Sequence, residues 1–481
     1  MARSTVVRNI AWLVAWNGSR HVYFRGADLV FEEREITFLG RDYPGSAERE
    51  IDGSDLLVIP GLIDIHTHLS SEPIRKGITD ETVSPGFWHS SLYEHLPVFD
   101  PVDDSGRMAC LKVSLSELLL SGVTTVADLS PPFDGWLDAL AESGIRAVVA
   151  PLFRDARWYT RNGHALEYEW DEAAGRQAFR KAQTLLDQAL AHPSGRVSGM
   201  VSPSQVDTCG EQLLRDSYAF AEEKNLPWTI HAAQSVTEFL EMQRRNGTTP
   251  IQWLDDIGVL AERSTIAHCI FLDHHPWLHW TSQRDLGLLA ETKATVAHCP
   301  TVFSRRGIAL NTFGHYLDHG VRLATGTDTY PHNLLDEVRT AAIVARTAGQ
   351  NVEDVTYLEL FSAATLGGAA ALGREDIGRL AVGCKADFAC IDLTHPAMKP
   401  LREPLRTLLV VAADRAVRDV FVDGEQVVQD GLVQTIDHAA ELEHLQVAQE
   451  RMLAQVPDRD WAGRTVDELA PMMLETVESL V

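Results

Sequence analysis

The chain has 481 residues, which allows one large domain with appendages or several small domains. Its 45% hydrophobic and 23% charged residues are ordinary for a globular protein with a sizeable core. Forty-two Lys and Arg against 68 Asp and Glu give a net charge of −26, which argues against nucleic acid or an anionic membrane as a partner.

The first elements are short and β-rich. Val6–Ala15, His21–Phe24, Glu35–Leu39 and Leu56–Ile59 read as strands, with turns at Asn17-Gly18, Gly26 and Gly40. Ile10 to Trp16 is apolar and follows Arg8, but it is too short for a signal peptide and no small-residue cleavage site follows it. The expectation is a first strand and a cytoplasmic protein. No apolar run approaches a membrane span.

From Pro60 to Gly373 the pattern alternates strand and helix. Eight strands are predicted: Leu62–His66, Thr124–Leu129, Ala147–Leu152, Gly199–Pro203, Trp228–Ala232, Thr265–Ile270, Ala294–His298 and Arg322–Thr327. Helices fall between them, among them Met108–Ser121, Gly175–Ala191, Cys209–Lys224 and Val236–Arg245. Eight such repeats without a glycine-rich dinucleotide fingerprint predict an α/β fold, a closed (β/α)8 TIM barrel. Beyond it Gly378–Leu380, Ala386–Asp392, Val417–Val422 and Gln426–Gln429 are β again, so both chain ends are expected to form one small β-sandwich domain. The predicted division is 1–59 with 374–431 for the sandwich, 60–373 for the barrel and 432–481 for a helical tail that docks or dimerises. The six cysteines, none in a C-x-x-C pair, read as buried free thiols.

Histidine and aspartate gather at the predicted strand ends. His66 and His68 close strand one, and residues two apart on a strand share a face. His231, His268 and His298 close strands five, six and seven, and Asp328 follows strand eight. Barrel sites lie at this rim, so residues distant in sequence converge there. Neutral imidazoles with a carboxylate suit one divalent ion, zinc first, iron or cobalt next. His66, His68, His231 and Asp328 are the candidate ligands, and His268 is the candidate acid/base or substrate polariser.

These segments resemble the amidohydrolase superfamily, and within it the mononuclear branch of triazine hydrolases and guanine and adenosine-type deaminases. The likeness is carried by Val58–His68, Gly122–Asp128, Ile266–Cys269, Val296–Pro300 and Gly326–Asp328, with Gly378–Asp387 and Val420–Gly424 toward the C-terminus. Ser202-Pro203-Ser204 stands where binuclear relatives carry a bridging lysine, which favours one metal. The resemblance implies the same four ligands. It further implies that Asp328 accepts a proton from the water, and that His268 orients water or substrate. The expected activity is hydrolysis of a C–N bond in a small heterocyclic, amide or urea-like compound by metal-bound hydroxide.

One departure stands out. Deaminases of this branch carry His-x-x-Glu after strand five, where this chain reads His231-Ala232-Ala233-Gln234. Gln cannot titrate. Glu238 could replace the missing carboxylate, or Gln234 could hold a substrate carbonyl. Displacement of chloride or thiolate from a triazine-like ring, purine or pterin deamination, and a non-catalytic binding barrel remain as alternatives. Thr301–Gly307 also departs from the family's Ser-Asn pattern, and His298, Arg305 and Trp88 are the candidate substrate contacts. The expected partners are a small-molecule substrate and further copies of the chain, as a homodimer or larger homo-oligomer.

Overall fold

The computed structural model describes residues 4–310 and 312–477. Residues 1–3 of the expected sandwich and 478–481 of the expected tail lie outside them. Two parallel four-stranded sheets form the centre. In the first, strands one to four are Leu62–Thr67, Val123–Asp128, Arg146–Val149 and Val197–Gly199. In the second, strands five to eight are Trp228–Ala232, Ser264–His268, Thr295–His298 and Arg322–Thr325. Parallel bridges stitch both seams: Val201 and Gln205 pair with Trp228 and His231, and Thr67 pairs with Asp328. The eight strands therefore close on themselves. One buried cluster takes Ile63, Ala127, Val148, Ala267, Ala297 and Ala324 from six strands, as the inner face of a ring requires.

The chain ends meet in a seven-stranded sheet. Phe388–Asp392 runs antiparallel to Leu56–Pro60, which also pairs with Trp12–Trp16. A four-stranded sheet packs against it through Val7, Leu29 and Phe31 on one side and Leu13, Val58, Phe388 and Phe421 on the other. Phe388 and Phe421 stack at 4.6 Å between centroids, and each fully buried ring contributes roughly 2–3 kcal/mol of transfer free energy. Arg146 ties this layer to the barrel, donating to Asp387 at 2.9 Å and to Asp423 at 2.9 Å, all three buried.

Several expected boundaries differ. Val6–Ala15 is two strands, Ser4–Ile10 and Trp12–Trp16, because Asn9 turns left-handed (φ 54°) and shifts the register. Ala27–Glu32 and Arg49–Asp52 are further strands; their runs are short and the second is polar, so neither alternates visibly. Gly378–Leu380 is not a strand: Gly378 is left-handed (φ 71°), and only the Leu380 carbonyl joins the sheet, accepting from Trp16. Leu432–Val433 adds an edge strand one step past residue 431. The tail helix His438–Leu453 packs along helix Asp104–Leu120 of its own chain, with Leu445, Ala448 and Met452 against Val98, Phe99 and Val113. Beyond it, Trp461 and Arg464 both donate to Glu94 in the long loop after strand one, at 3.0 and 2.7 Å. No helix among the described residues is long and apolar enough to cross a membrane, and the six cysteines are free and buried.

Candidate metal centre

Strand one delivers His66 and His68 to the C-terminal rim of the barrel. Asp64, two residues earlier, fixes that end. Its carboxylate accepts from the His66 amide at 3.2 Å and from the Thr327 amide and hydroxyl at 3.1 and 2.7 Å. The Asp328 amide then donates to the His66 carbonyl at 2.8 Å. This seam sets Asp328 beside the histidines, and burial pushes the Asp64 carboxyl up to about 7. Sequence reasoning missed Asp64, although it stands only two residues before His66.

The donor atoms of His66, His68 and His231 lie within 4.8 Å of one another. His68 Nε2 and His231 Nε2 face each other at 3.2 Å. Their far nitrogens are tied to backbone carbonyls: His68 Nδ1 donates to Leu129 and His231 Nδ1 to Ser204, each at 2.6 Å. A proton held on Nδ1 leaves the Nε2 lone pair for a ligand, which is how a metal-binding imidazole is oriented. Asp328 Oδ1 stands 3.3 Å from His68 Nε2 and 3.4 Å from His66 Nε2. Both nitrogens of His66 are buried without a hydrogen-bond partner, a costly arrangement that a cation relieves.

The electrostatics agree. Burial lowers His66, and burial with the neighbouring rings lowers His231 well below the usual imidazole range; burial takes His268 down to about 3. Burial opposes ionisation of Asp328, but the close approach of His66 Nε2, at 3.4 Å, and of the His268 and His68 rings outweighs it and holds the carboxyl well below its usual range. Neutral imidazoles beside an ionised carboxylate form a buried electron-pair donor set with negative charge, which fits a divalent cation.

Backbone strain is present at this rim. Ala233 (φ 56°), His268 (φ 78°), Cys269 (φ 48°) and Asp328 (φ 58°) are all left-handed without being glycine, at about 1–3 kcal/mol each. The left-handed turn at His268 sets its ring at the cleft, where Phe303 packs on it at 4.8 Å.

A cleft of about 460 Å3 opens over His68, His231, His268 and Asp328. A larger hollow of about 980 Å3, beside strand His21–Phe24, contains none of the predicted rim residues. Gln234 lines the cleft and donates from Nε2 to Gln205 Oε1 at 2.6 Å. Gln205, just past strand four, is not singled out by the sequence, where its one signal is its place after Ser202-Pro203-Ser204. Glu238 does not replace the missing carboxylate. Its two oxygens take the amides of Ala233 and Gln234 at 2.5 and 3.3 Å, and its own amide donates to Ser235 Oγ. Glu238 thus holds the turn that carries Gln234.

The three expected substrate contacts separate. Arg305 lines the cleft, but its guanidinium donates to the Tyr330 carbonyl at 2.6 Å and pairs with Asp80 at 3.3 Å. His298 does not line the cleft: Ala297 takes the position in the inner cluster, and strand alternation turns the next ring onto Phe313 at 5.4 Å. Trp88 does not line it either. Left-handed backbone at Trp88 and His89 (φ 54° and 67°) places it in a separate shallow hollow with His164 and Tyr168.

Comparison with known proteins gives a consistent picture. The model of a family described as the Amidohydrolase family matches residues 57–427. A 5'-deoxyadenosine deaminase of Methanothermobacter thermautotrophicus is 27% identical over 431 residues, covering 88% of this chain and 94% of that protein. A 5-methylthioadenosine/S-adenosylhomocysteine deaminase of Pyrococcus furiosus is 30% identical over 415 residues, covering 85% and 93%. Among solved structures, atrazine chlorohydrolase from Arthrobacter aurescens, complexed with zinc, superposes with a TM-score of 0.79 at 23% identity, covering 92% of this chain and all (100%) of that one. That likeness is one of fold.

Proposed function

This chain belongs to the amidohydrolase family, and from that premise we propose a single-ion hydrolytic centre in which His66, His68, His231 and Asp328 hold one divalent ion, zinc before iron or cobalt. The proposed reaction is hydrolysis of a C–N bond in a small heterocyclic, amide or urea-like compound. A bound divalent ion makes water acidic enough to supply hydroxide near neutral pH. Asp328, ionised and lining the cleft, accepts the proton that water gives up. His268, neutral and fixed by Phe303, orients water or the substrate. Gln234 spends its Nε2 on Gln205, which leaves Gln234 Oε1 to accept and Gln205 Nε2 to donate; together they hold an N–H and a carbonyl on the substrate.

The reading rests on one observation above others: the Nε2 atoms of His68 and His231 face each other while carbonyls hold both Nδ1 atoms. The test is a screen of purines, pterins, triazines and ureas for ammonia, amine and halide release. Turnover that chelation removes and zinc restores supports it; no product from any class contradicts it.

A second reading has its own support. With Gln234 unable to titrate and Glu238 committed to backbone amides, no carboxylate follows His231 to protonate a leaving nitrogen. That favours a leaving group needing no proton, such as chloride or thiolate on a triazine-like ring, and halide release in the same screen separates the two. We also propose the division into a sandwich of 1–59 with 374–431, a barrel of 60–373 and a tail of 432–481. A homodimer or larger homo-oligomer is supported by exposed Ile343, Leu358, Val410 and Val411, and light scattering tests it.

A further inference from the structure

Cys299 follows strand seven directly and opens the short helix Pro300–Ser304. It is buried, and its sulfur reaches the Ala297 carbonyl only at 4.0 Å. Its Sγ, one nitrogen of His66 and one nitrogen of His268 lie within 4.8 Å of one another. Both imidazoles are almost wholly buried, and His66 Nδ1, His66 Nε2 and His268 Nδ1 have no hydrogen-bond partner. Three donor side chains therefore converge on one point, and the two imidazoles bring to it nitrogens that have no hydrogen-bond partner.

The two donor sets at this rim differ in kind. His68, His231 and Asp328 bring nitrogen and a hard carboxylate oxygen. His268 and Cys299 bring nitrogen and a soft sulfur, and soft sulfur selects soft ions. His66 belongs to both sets. We propose that His66, His268 and Cys299 form a second, sulfur-bearing position for a thiophilic cation such as Cd2+, and that filling it disables the hydrolytic centre. This inference rests on the hydrolytic reading of His66, because the shared imidazole is what makes the two positions antagonistic. On binding, the Sγ–H bond breaks, an Sγ–Cd bond forms and the proton passes to solvent; no oxidant is needed. His268 lines the cleft and gives the cation its way in. Cys269, next to His268 in sequence and also buried, is absent from the donor group and serves as the control.

The experiment titrates the metal-free full chain with CdCl2. It reads near-ultraviolet sulfur-to-cadmium charge transfer and proton release into weak buffer. Wild type and Cys269→Ser should show the band with about one proton per ion, and Cys299→Ser should lose it. Zinc content and zinc-dependent turnover of Cys299→Ser should stay within about twofold of wild type, while inhibition of the zinc-loaded protein by cadmium weakens about tenfold. A band that persists in Cys299→Ser, or is missing from wild type, overturns the proposal. Cadmium nuclear magnetic resonance of the wild type tests the same ligation without a variant, since a signal from nitrogen and oxygen ligands alone refutes it. Failure of wild type to bind zinc would instead sink the hydrolytic reading, whatever the cadmium band does.

Discussion

Replacing Gln234 by Glu tests what sets the reaction. The exchange keeps the size of the side chain and puts a carboxyl where the deaminases of the family carry one. In the native cleft Gln234 Nε2 donates to Gln205 Oε1 at 2.6 Å. A carboxylate would set oxygen against oxygen there, so Gln205 must turn its amide and donate instead. The resulting hydrogen bond to a charged group is worth about 1.5–3 kcal/mol, which offsets much of the cost of charge in a nearly buried position. Burial raises the new carboxyl's pKa toward neutrality, the range in which it can shuttle protons. A positioned general acid contributes about 10²–10⁴-fold, or roughly 2.7–5.5 kcal/mol of barrier. The assay measures ammonia release from adenosine-type and pterin substrates across pH, with halide release from a chlorotriazine in parallel. Gln234→Glu should raise kcat for ammonia release by about 10²-fold and add an acidic limb to the pH profile, with halide release unimproved. Unchanged ammonia release with zinc content intact would refute the assignment of Gln234 as the residue that sets the leaving group.

Asp328→Asn should lower turnover at least about 10³-fold and weaken zinc binding while circular dichroism stays native, since it removes a ligand and the proton acceptor; a fully active variant contradicts both roles. Glu337 titrates oppositely from an ordinary surface acid: burial raises it from 4.5 to about 8, although Thr301 donates to it at 3.1 Å. Between those values the folded chain binds the extra proton, so stability falls as pH rises through the window, and Glu337→Gln should flatten that fall in denaturant midpoints from pH 5 to 8. Identical slopes for variant and wild type would contradict the shift. Trp88→Ala should leave KM within about twofold, because Trp88 lies outside the cleft; a tenfold rise would return it to the substrate site.

The barrel and the gathering of His66, His68, His231 and Asp328 at its rim are legible in the sequence because their signals are periodic or repeated. His66 and His68 share a strand face, and His231 and Asp328 sit at the ends of apolar runs that match the structure's strands closely. What is illegible depends on contacts between distant segments. The Asp64–Thr327 link closes the barrel seam, and Gln205 meets Gln234 across the junction of strands four and five. Glu238 is visible as a titratable residue one helical turn after Gln234, but which way its carboxylate points is fixed by the left-handed turn at Ala233. Nearness to a strand end brings His298 to the site on paper, and a place in the long loop after strand one brings Trp88; alternation turns the first away and left-handed backbone removes the second.

The most direct test of the proposed centre is the metal content of the purified chain, measured with turnover before and after chelation. A single-ion centre predicts about one divalent ion per chain, lost in His68→Ala and His231→Ala, and turnover restored to stripped wild type by zinc. Less than about half an ion per chain, with no activity recovered on adding Zn2+, Fe2+ or Co2+, would contradict it.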